Sequence, residues 1–475
     1  MLKGRSNGRV MTARCAVLAS AVALSACTGS NKPYQIEIMP APDVYEEGGI
    51  DPFVDATPID EMPYDGVLYA TDRLPAGDGG LERFYANERG GVLRMGVAQV
   101  ELGRDDLSWE DARRISILKS GVDKYPIRVS GVREIGILDR SATPLLPPGT
   151  LGPDPHRAAK VFADKVNGKL ARSKRKHIYV YVHGYKVIFE NPILVATELW
   201  HYLGYDGVFI AYAWPSTPSK WAYLKDIETA AGFARNLRVF LEYLAEETEA
   251  EQIHVLGYSA GTRLVARAFE QLALVHNEST PEEIHAELRI GHLILVGSDL
   301  DRQIFGAYMA DGLLEVPLRA SVYLSEKDKA LGMSRFLTRR ERLGQMWGAG
   351  RPPAHLEDYL NEHEAETSVI NVTSAEGSTA GNGHAYFRNS PWVSSDILMG
   401  LRYDLRPAGR GLVRVEEGSP IFTFPPDYIR RLKEAIFQAS PELDRHRGAH
   451  FPSDRENGAR NDPLPRLVSP PDNGQ

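Results

Sequence analysis

From His177 onward, apolar runs alternate with stretches of helical period. HIYVYVHG reads as a buried strand, and NPILVATELWHYLG as a helix stopped by glycine. GVFIAYAWPS is a second strand, ended by Pro215, and LKDIETAAGFARNLRVFLEYLAEE predicts one long amphipathic helix. QIHVLGYS is a strand and TRLVARAFEQLALVH a helix, and IGHLILVGSD, RASVYLSEKD and the shorter SVINVTS complete the series. Strands that are apolar throughout, separated by helices, predict an α/β protein with a mostly parallel sheet covered on both faces.

The flanking segments have a different rhythm. Upstream, GVLYATDR and GVLRMGVAQVEL alternate and are bounded by glycines, so both predict strands. SATPLLPPGTLGPDPH, residues 141–156, reads as a surface connection. Residues 333–366 interrupt the alternation with a polar, partly helical insertion, expected to cap a pocket. After Arg406 a short strand-like piece precedes the helix PDYIRRLKEAIFQA. Residues 28–60 are rich in Pro, Asp and Glu and predict a flexible tether. Residues 439–475 are dominated by Pro, Asp, Asn, Arg and Gly and predict a disordered tail. The folded domain is therefore expected over residues 61–438.

Composition bounds the function. The 475 residues are 43% hydrophobic and 25% charged, which is ordinary for a globular chain, and the formal net charge is -8. That balance argues against a nucleic-acid partner, which would require a basic face. The cluster Arg172, Lys174, Arg175 and Lys176 directly precedes a strand and reads as its solvated entrance. Both cysteines, Cys15 and Cys27, lie within the first 30 residues. Lys3, Arg5, Arg9 and Arg14 precede the apolar run AVLASAVAL, then LSAC. This is a secretory signal, too short to span a bilayer. A start at Met11 would leave it complete. LSAC resembles the bacterial lipobox, which makes residues 1–27 a lipoprotein signal and Cys27 the acylated residue; the competing reading is an ordinary cleaved signal. Lipid on Cys27 implies a membrane partner and a place in the bacterial cell envelope. Thr28, where an Asp would retain the protein, points to the periplasmic face of the outer membrane.

Gly257-Tyr258-Ser259-Ala260-Gly261 matches G-x-S-x-G. The pentapeptide alone is weak evidence, but here a strand directly precedes it and a helix directly follows, as a nucleophile elbow requires. The glycines make room where strand and helix meet, and the helix N-terminus offers amides to a developing oxyanion. A second donor is expected from the loop YVHGYK, so the amides of Tyr185 and Ala260 form the expected oxyanion hole. His183 reads as a structural hydrogen-bonding residue of that loop. The partners of a nucleophilic serine follow in the order Ser, acid, His. Asp328 ends the strand RASVYLSEKD and is the expected acid, with Asp299 of LVGSDLD as the alternative. Of thirteen histidines, His384 in the glycine-rich GNGHAYF is the expected base, ahead of His363 in NEHEAE. No H-E-x-x-H, paired Cys/His spacing, P-loop or G-x-G-x-x-G is present, so neither metal nor cofactor is expected.

Together, VLYATDR, HIYVYVHGYK, AYAWPS, HVLGYSAG, GSDLD, YLSEKDKAL and GHAYF resemble the bacterial α/β-hydrolases once grouped as domain of unknown function nine hundred. The resemblance covers roughly residues 64–402. It implies that the VLYATDR strand and the strand near Met95 belong to the hydrolase sheet, and it supports Ser259, Asp328 and His384 as a triad. Members often carry Asn after HGY or HGF, where this chain has Lys186, and often His-Ser-Met-Gly where this chain has Tyr258-Ser259-Ala260-Gly261. The expected function is a lipid-anchored serine hydrolase acting on small or lipid-like carboxylic esters through an acyl-enzyme. The alternatives are an amidase or peptidase acting on envelope peptides, and a non-catalytic scaffold that keeps the hydrolase fold.

Overall fold

The apolar runs after His177 become parallel strands because each is buried on both faces, leaving nowhere for an alternating polar residue. A computed structural model of the chain describes residues 34–48, 50–53, 66–77, 83–102, 125–348 and 350–444. The strands are β1 (Gln35–Glu37), β2 (Val67–Pro75), β3 (Tyr85–Leu102), β4 (Pro126–Ile137), β5 (His177–Val182), β6 (Val208–Ala213), β7 (Gln252–Tyr258), β8 (Ile290–Val296), β9 (Arg319–Leu324), β10 (Thr367–Asn371), β11 (Val413–Arg414) and β12 (Ile421–Thr423).

Among the described residues they form a single sheet, in the order β1-β4-β3-β2-β6-β5-β7-β8-β9-β10-β12-β11. Pairing is parallel from β2 through β12. It is antiparallel among β1 to β4 and again at β11. The VLYATDR strand and the strand through Met95 thus lie in the same sheet as the elbow strand.

Alternate side chains along each strand feed two cores. Ile178, Val180 and Val182 of β5 meet the helices Arg157–Leu170, Ala234–Glu247 and Gly261–Val275 on one face. Tyr179 and Tyr181 meet the helices Glu190–Tyr202, Pro391–Tyr403 and Tyr428–Ala439 on the other.

Four expectations change. The single long helix breaks at Phe233 into Tyr223–Gly232 and Ala234–Glu247. Gly232 lies at the break, where helix propensity is weakest, and a Cβ there would meet nothing. The described part of the 28–60 tether is no tether. Residues 35–37 pair with β4, and Met39, Val44, Tyr45 and Phe53 are buried against the sheet. Tyr202 Oη donates to the Met39 carbonyl at 2.7 Å, and Glu198 accepts the Met39 amide at 2.8 Å. The domain thus begins before residue 61. The described part of the tail expected from 439 is ordered, with a short helix Pro441–Asp444 whose Leu443 packs on the core. Residues 445–475, the signal with Cys15 and Cys27, and residues 28–33 lie outside the described residues. The 333–366 insertion divides into two parts of different kind. Its first helix, Lys329–Thr338, starts directly after Asp328. Its second, Ala354–Glu362, covers the sheet through Leu360, which with Met346 of the preceding loop packs against Leu324, Val369 and Ile421.

Candidate active site

Ser259 sits between the end of β7 and the helix Gly261–Val275, with φ at +54°. A non-glycine residue is rarely left-handed, and here the neighbours impose it. The Ser259 amide donates to Val296 O at 2.9 Å, and its carbonyl accepts from the Thr262 amide (3.1 Å) and hydroxyl (2.6 Å). The flanking glycines are needed for space. A Cβ at Gly261 would run into the His183 carbonyl, and one at Gly257 would press on Val265 at 3.0 Å. A Cβ at Gly184 would lie 2.8 Å from that of Ser259, so the HGY loop closes on the serine only because it carries glycine.

Three of the expected residues meet through side-chain hydrogen bonds. Ser259 Oγ is 2.7 Å from His384 Nε2, and His384 Nδ1 is 2.6 Å from Asp328 Oδ2. All three are buried: Ser259 is 5% exposed, His384 7% and Asp328 4%. The other oxygen of Asp328, Oδ1, accepts the Leu331 amide at 2.9 Å and caps the helix Lys329–Thr338. That cap bond fixes the orientation of the carboxylate. His384 is held from below and above. Its amide donates to Asn382 Oδ1 at 3.1 Å, and Gly383, at φ +69°, lets the loop approach the Lys327 carbonyl. Two residues on, Tyr386 Oη donates to Tyr323 O at 2.8 Å and accepts the Gly297 amide at 2.6 Å, which ties the loop to the ends of β8 and β9. The Tyr258 ring packs 5.1 Å from the imidazole.

Asp299, the alternative acid, is occupied elsewhere and makes no bond to His384. Its carboxylate accepts from Tyr223 Oη (2.7 Å), Arg263 Nε (3.2 Å) and the Ser334 hydroxyl, and it pairs with buried Arg342 at 3.5 Å. It ties Tyr223, Arg263, Ser334 and Arg342 together instead. His363 stacks on Tyr359 at 4.2 Å and bonds the Tyr359 carbonyl, away from the serine.

His183 holds the oxyanion-side loop. Its ring lies parallel to Trp214 at 5.2 Å, Nδ1 is 2.6 Å from Gly184 O, and Nε2 is 3.1 Å from Trp214 O. Burial, with the nearby Arg73 cation, pushes its pKa down to about 3, so it stays neutral. Trp214 Nε1 returns a bond to His183 O at 2.6 Å. Arg73 and Ser216 both donate to Val187 O, at 3.0 Å each, and were not singled out in the sequence. The only hint was their place in ATDR and AWPS. Lys186 adopts φ +67°, a conformation Asn tolerates better than Lys, which gives a physical reason for Asn at this position in similar proteins. Neither the Tyr185 nor the Ala260 amide donates to a main-chain carbonyl among the described residues. Tyr185 follows Gly184, where a Cβ would lie 2.8 Å from that of Ser259, and Ala260 follows the serine itself.

A doubly covered, mostly parallel sheet with a strained serine between β7 and its helix defines an α/β-hydrolase. The chain belongs to the family described as alpha/beta hydrolase of unknown function (DUF900), whose model matches residues 158–402. The strands β2 to β4 lie outside that match. No curated protein and no solved structure matches the chain. Among the described residues, no helix is long and apolar enough to cross a membrane.

Proposed function

We propose that the protein is a serine hydrolase that cleaves carboxylic esters through an acyl-enzyme. The observation that carries this reading is the unbroken chain of hydrogen bonds from Ser259 through His384 to Asp328. Ser259 Oγ attacks the ester carbonyl carbon while His384 Nε2 takes its proton. Asp328 holds the tautomer and stabilises the imidazolium. The amides of Tyr185 and Ala260 receive the oxyanion. Collapse breaks the bond to the alcohol oxygen, to which His384 returns the proton. Water, deprotonated by the same imidazole, then attacks the acyl-serine, releases the acid and restores the serine. A continuous relay of this kind favours an enzyme over a scaffold that merely keeps the fold. Esters are favoured over amides because cleaving an amide demands a site tailored to protonate the departing amine.

The test is turnover of nitrophenyl esters of graded chain length by the wild type and by Ser259→Ala. Loss of the serine should cost on the order of 10⁴ to 10⁶ in kcat. Equal inactivity of both proteins on every ester would remove the esterase reading. Lipid anchoring through Cys27 belongs to the same proposal and rests on the lipobox-like LSAC alone. Cys27→Ala should abolish incorporation of labelled fatty acid, and unchanged labelling would refute the anchor.

A further inference from the structure

The helix Lys329–Thr338 shows solvent its apolar stripe. Met333, Phe336 and Leu337 are 59%, 77% and 60% exposed, and their spacing of three and four places them on one face. Its other face, with Leu331 and Ser334, is buried. Next to it, Trp221 and Leu224 are 86% and 73% exposed. The two segments are joined where Tyr223 Oη meets Ser334 Oγ, and both are tied to Asp299, whose amide donates to the Ser259 carbonyl. The two segments that carry these exposed side chains are thus linked, through Asp299, to the backbone of Ser259. Single exposed apolar residues are ordinary, but an outward stripe on one helix marks a contact surface.

The charge around the stripe tells which surface. Lys327, Lys329, Arg335, Arg339 and Arg340 are all exposed, and the sole carboxylate between Lys327 and Arg340 is the buried Asp328. Arg335 pairs with Glu341 at 3.0 Å, whereas Lys327, Lys329 and Arg339 stand without an ion pair among the described residues. Set against the exposed Glu326 and Glu341 that flank this stretch, the five cations leave it locally positive in a chain of net charge -8. Apolar side chains flanked by Lys and Arg are the composition of a helix that lies in the headgroup layer of an anionic bilayer.

We propose that the helix Lys329–Thr338, with Trp221 and Leu224, docks on an anionic lipid surface and brings esters of that surface to Ser259. The second half rests on the ester-hydrolase reading above. Because Asp328 caps this helix, the docking element and the acid of the relay form one rigid piece, so docking leaves the relay intact.

The test uses the full chain with Cys15 and Cys27 replaced by serine, and a nitrobenzoxadiazole dye on Phe336→Cys or, as a control, on Leu145→Cys, whose side chain is 92% exposed on a distant connection. On vesicles of phosphatidylcholine with one-third phosphatidylglycerol, the dye at 336 should shift to the blue and lose most of its quenching by iodide. The dye at 145 should not change. Pure phosphatidylcholine or raised salt should weaken the effect several-fold. A dye at 336 that remains open to iodide on every vesicle overturns the proposal. So does equal shielding at both positions, or shielding without lipid that grows with protein concentration, which would assign the face to a second copy of the chain. In the unlabelled chain, Phe336→Asp with Leu337→Asp should leave turnover of a short soluble ester unchanged and lower turnover of a vesicle-borne ester at least tenfold. Absence of soluble-ester turnover in the parent would count against the ester-hydrolase reading alone, since the dye experiment needs no catalysis.

Discussion

Single residues here carry backbone and electrostatic conditions that their neighbours enforce. Ser259 is left-handed because β8 and the following helix hold its amide and carbonyl, and the two glycines around it yield space. Asp72, next to the loop-pinning Arg73, is a different case. It is fully buried, and among the described residues it is bonded only by Tyr212 Oη at 2.6 Å and Asn236 Nδ2 at 2.7 Å and paired with no cation. Burial pushes its pKa up to about 7 from 3.8, although both bonds oppose the rise. The native state thus holds this proton more tightly than the unfolded chain. Below pH 3.8 both states are protonated and the contribution to stability is fully present. As pH rises from about 4 to about 7 it is lost, and above that the curve is level. Asp72→Asn should abolish this component. The denaturation free energy of the variant relative to wild type should rise between pH 5 and pH 8, by about 2–4 kcal/mol at the upper end. A pH-independent difference would show that Asp72 titrates alike in both states.

At the level of elements, the site is the meeting of loop ends at one edge of the parallel strands. β5 delivers the HGY loop, β7 Ser259, the turn after β9 Asp328, and the loop after β10 His384. Their mutual approach depends on small residues at the crossings. Gly261→Ala would drive its methyl into the His183 carbonyl, on the loop that also carries Tyr185. The expected result is about 1–3 kcal/mol of destabilisation by overpacking, with kcat for esters falling more than KM changes. Stability unchanged in urea titration would mean the loop yields without cost. The helix Lys329–Thr338 has a double role at this scale. Its N-cap is Asp328, and its outward stripe is the proposed lipid contact.

At the scale of the whole molecule, a buried polar knot fastens the C-terminal helices to the sheet beneath the site. Arg410 Nε donates to Asp396 Oδ1 at 2.6 Å, and Tyr428 and Tyr323 hydroxyls reach the same carboxylate at 2.9 and 2.7 Å. Tyr323 in turn offers its carbonyl to Tyr386, two residues from His384. The cationic form of Arg410 is favoured by Asp396 in spite of its burial. Arg410→Met leaves Asp396 a buried, unpaired charge and should cost about 3–5 kcal/mol in denaturant unfolding, whereas Arg410→Met with Asp396→Leu should recover most of it. A double variant no better than the single would show that the hydroxyl network, and not the charge, is what matters.

The sequence by itself determined what depends on neighbours along the chain. The run of apolar strands and helices is legible because burial on both faces imposes a local pattern. The elbow is legible because strand, serine, glycines and helix are consecutive. Asp328 and His384 could be picked out because one follows an apolar strand, the other lies in a glycine-rich loop after the last short strand, and they follow the serine in the order acid then His. Only the tertiary structure decided what depends on distant partners. Asp299 and Asp328 each follow an apolar strand by a few residues, and packing alone sends the first to Tyr223, Arg263 and Arg342 and the second to His384. The strap through Met39, Val44 and Tyr45 carries a composition that reads as a tether, because an irregular segment has no period and its anchors lie some 150 residues away. The same holds for the stripe on the helix Lys329–Thr338. The sequence marks only a polar, partly helical stretch there, and which face is turned to the protein is fixed by Leu331 and Ser334, and so by what they touch.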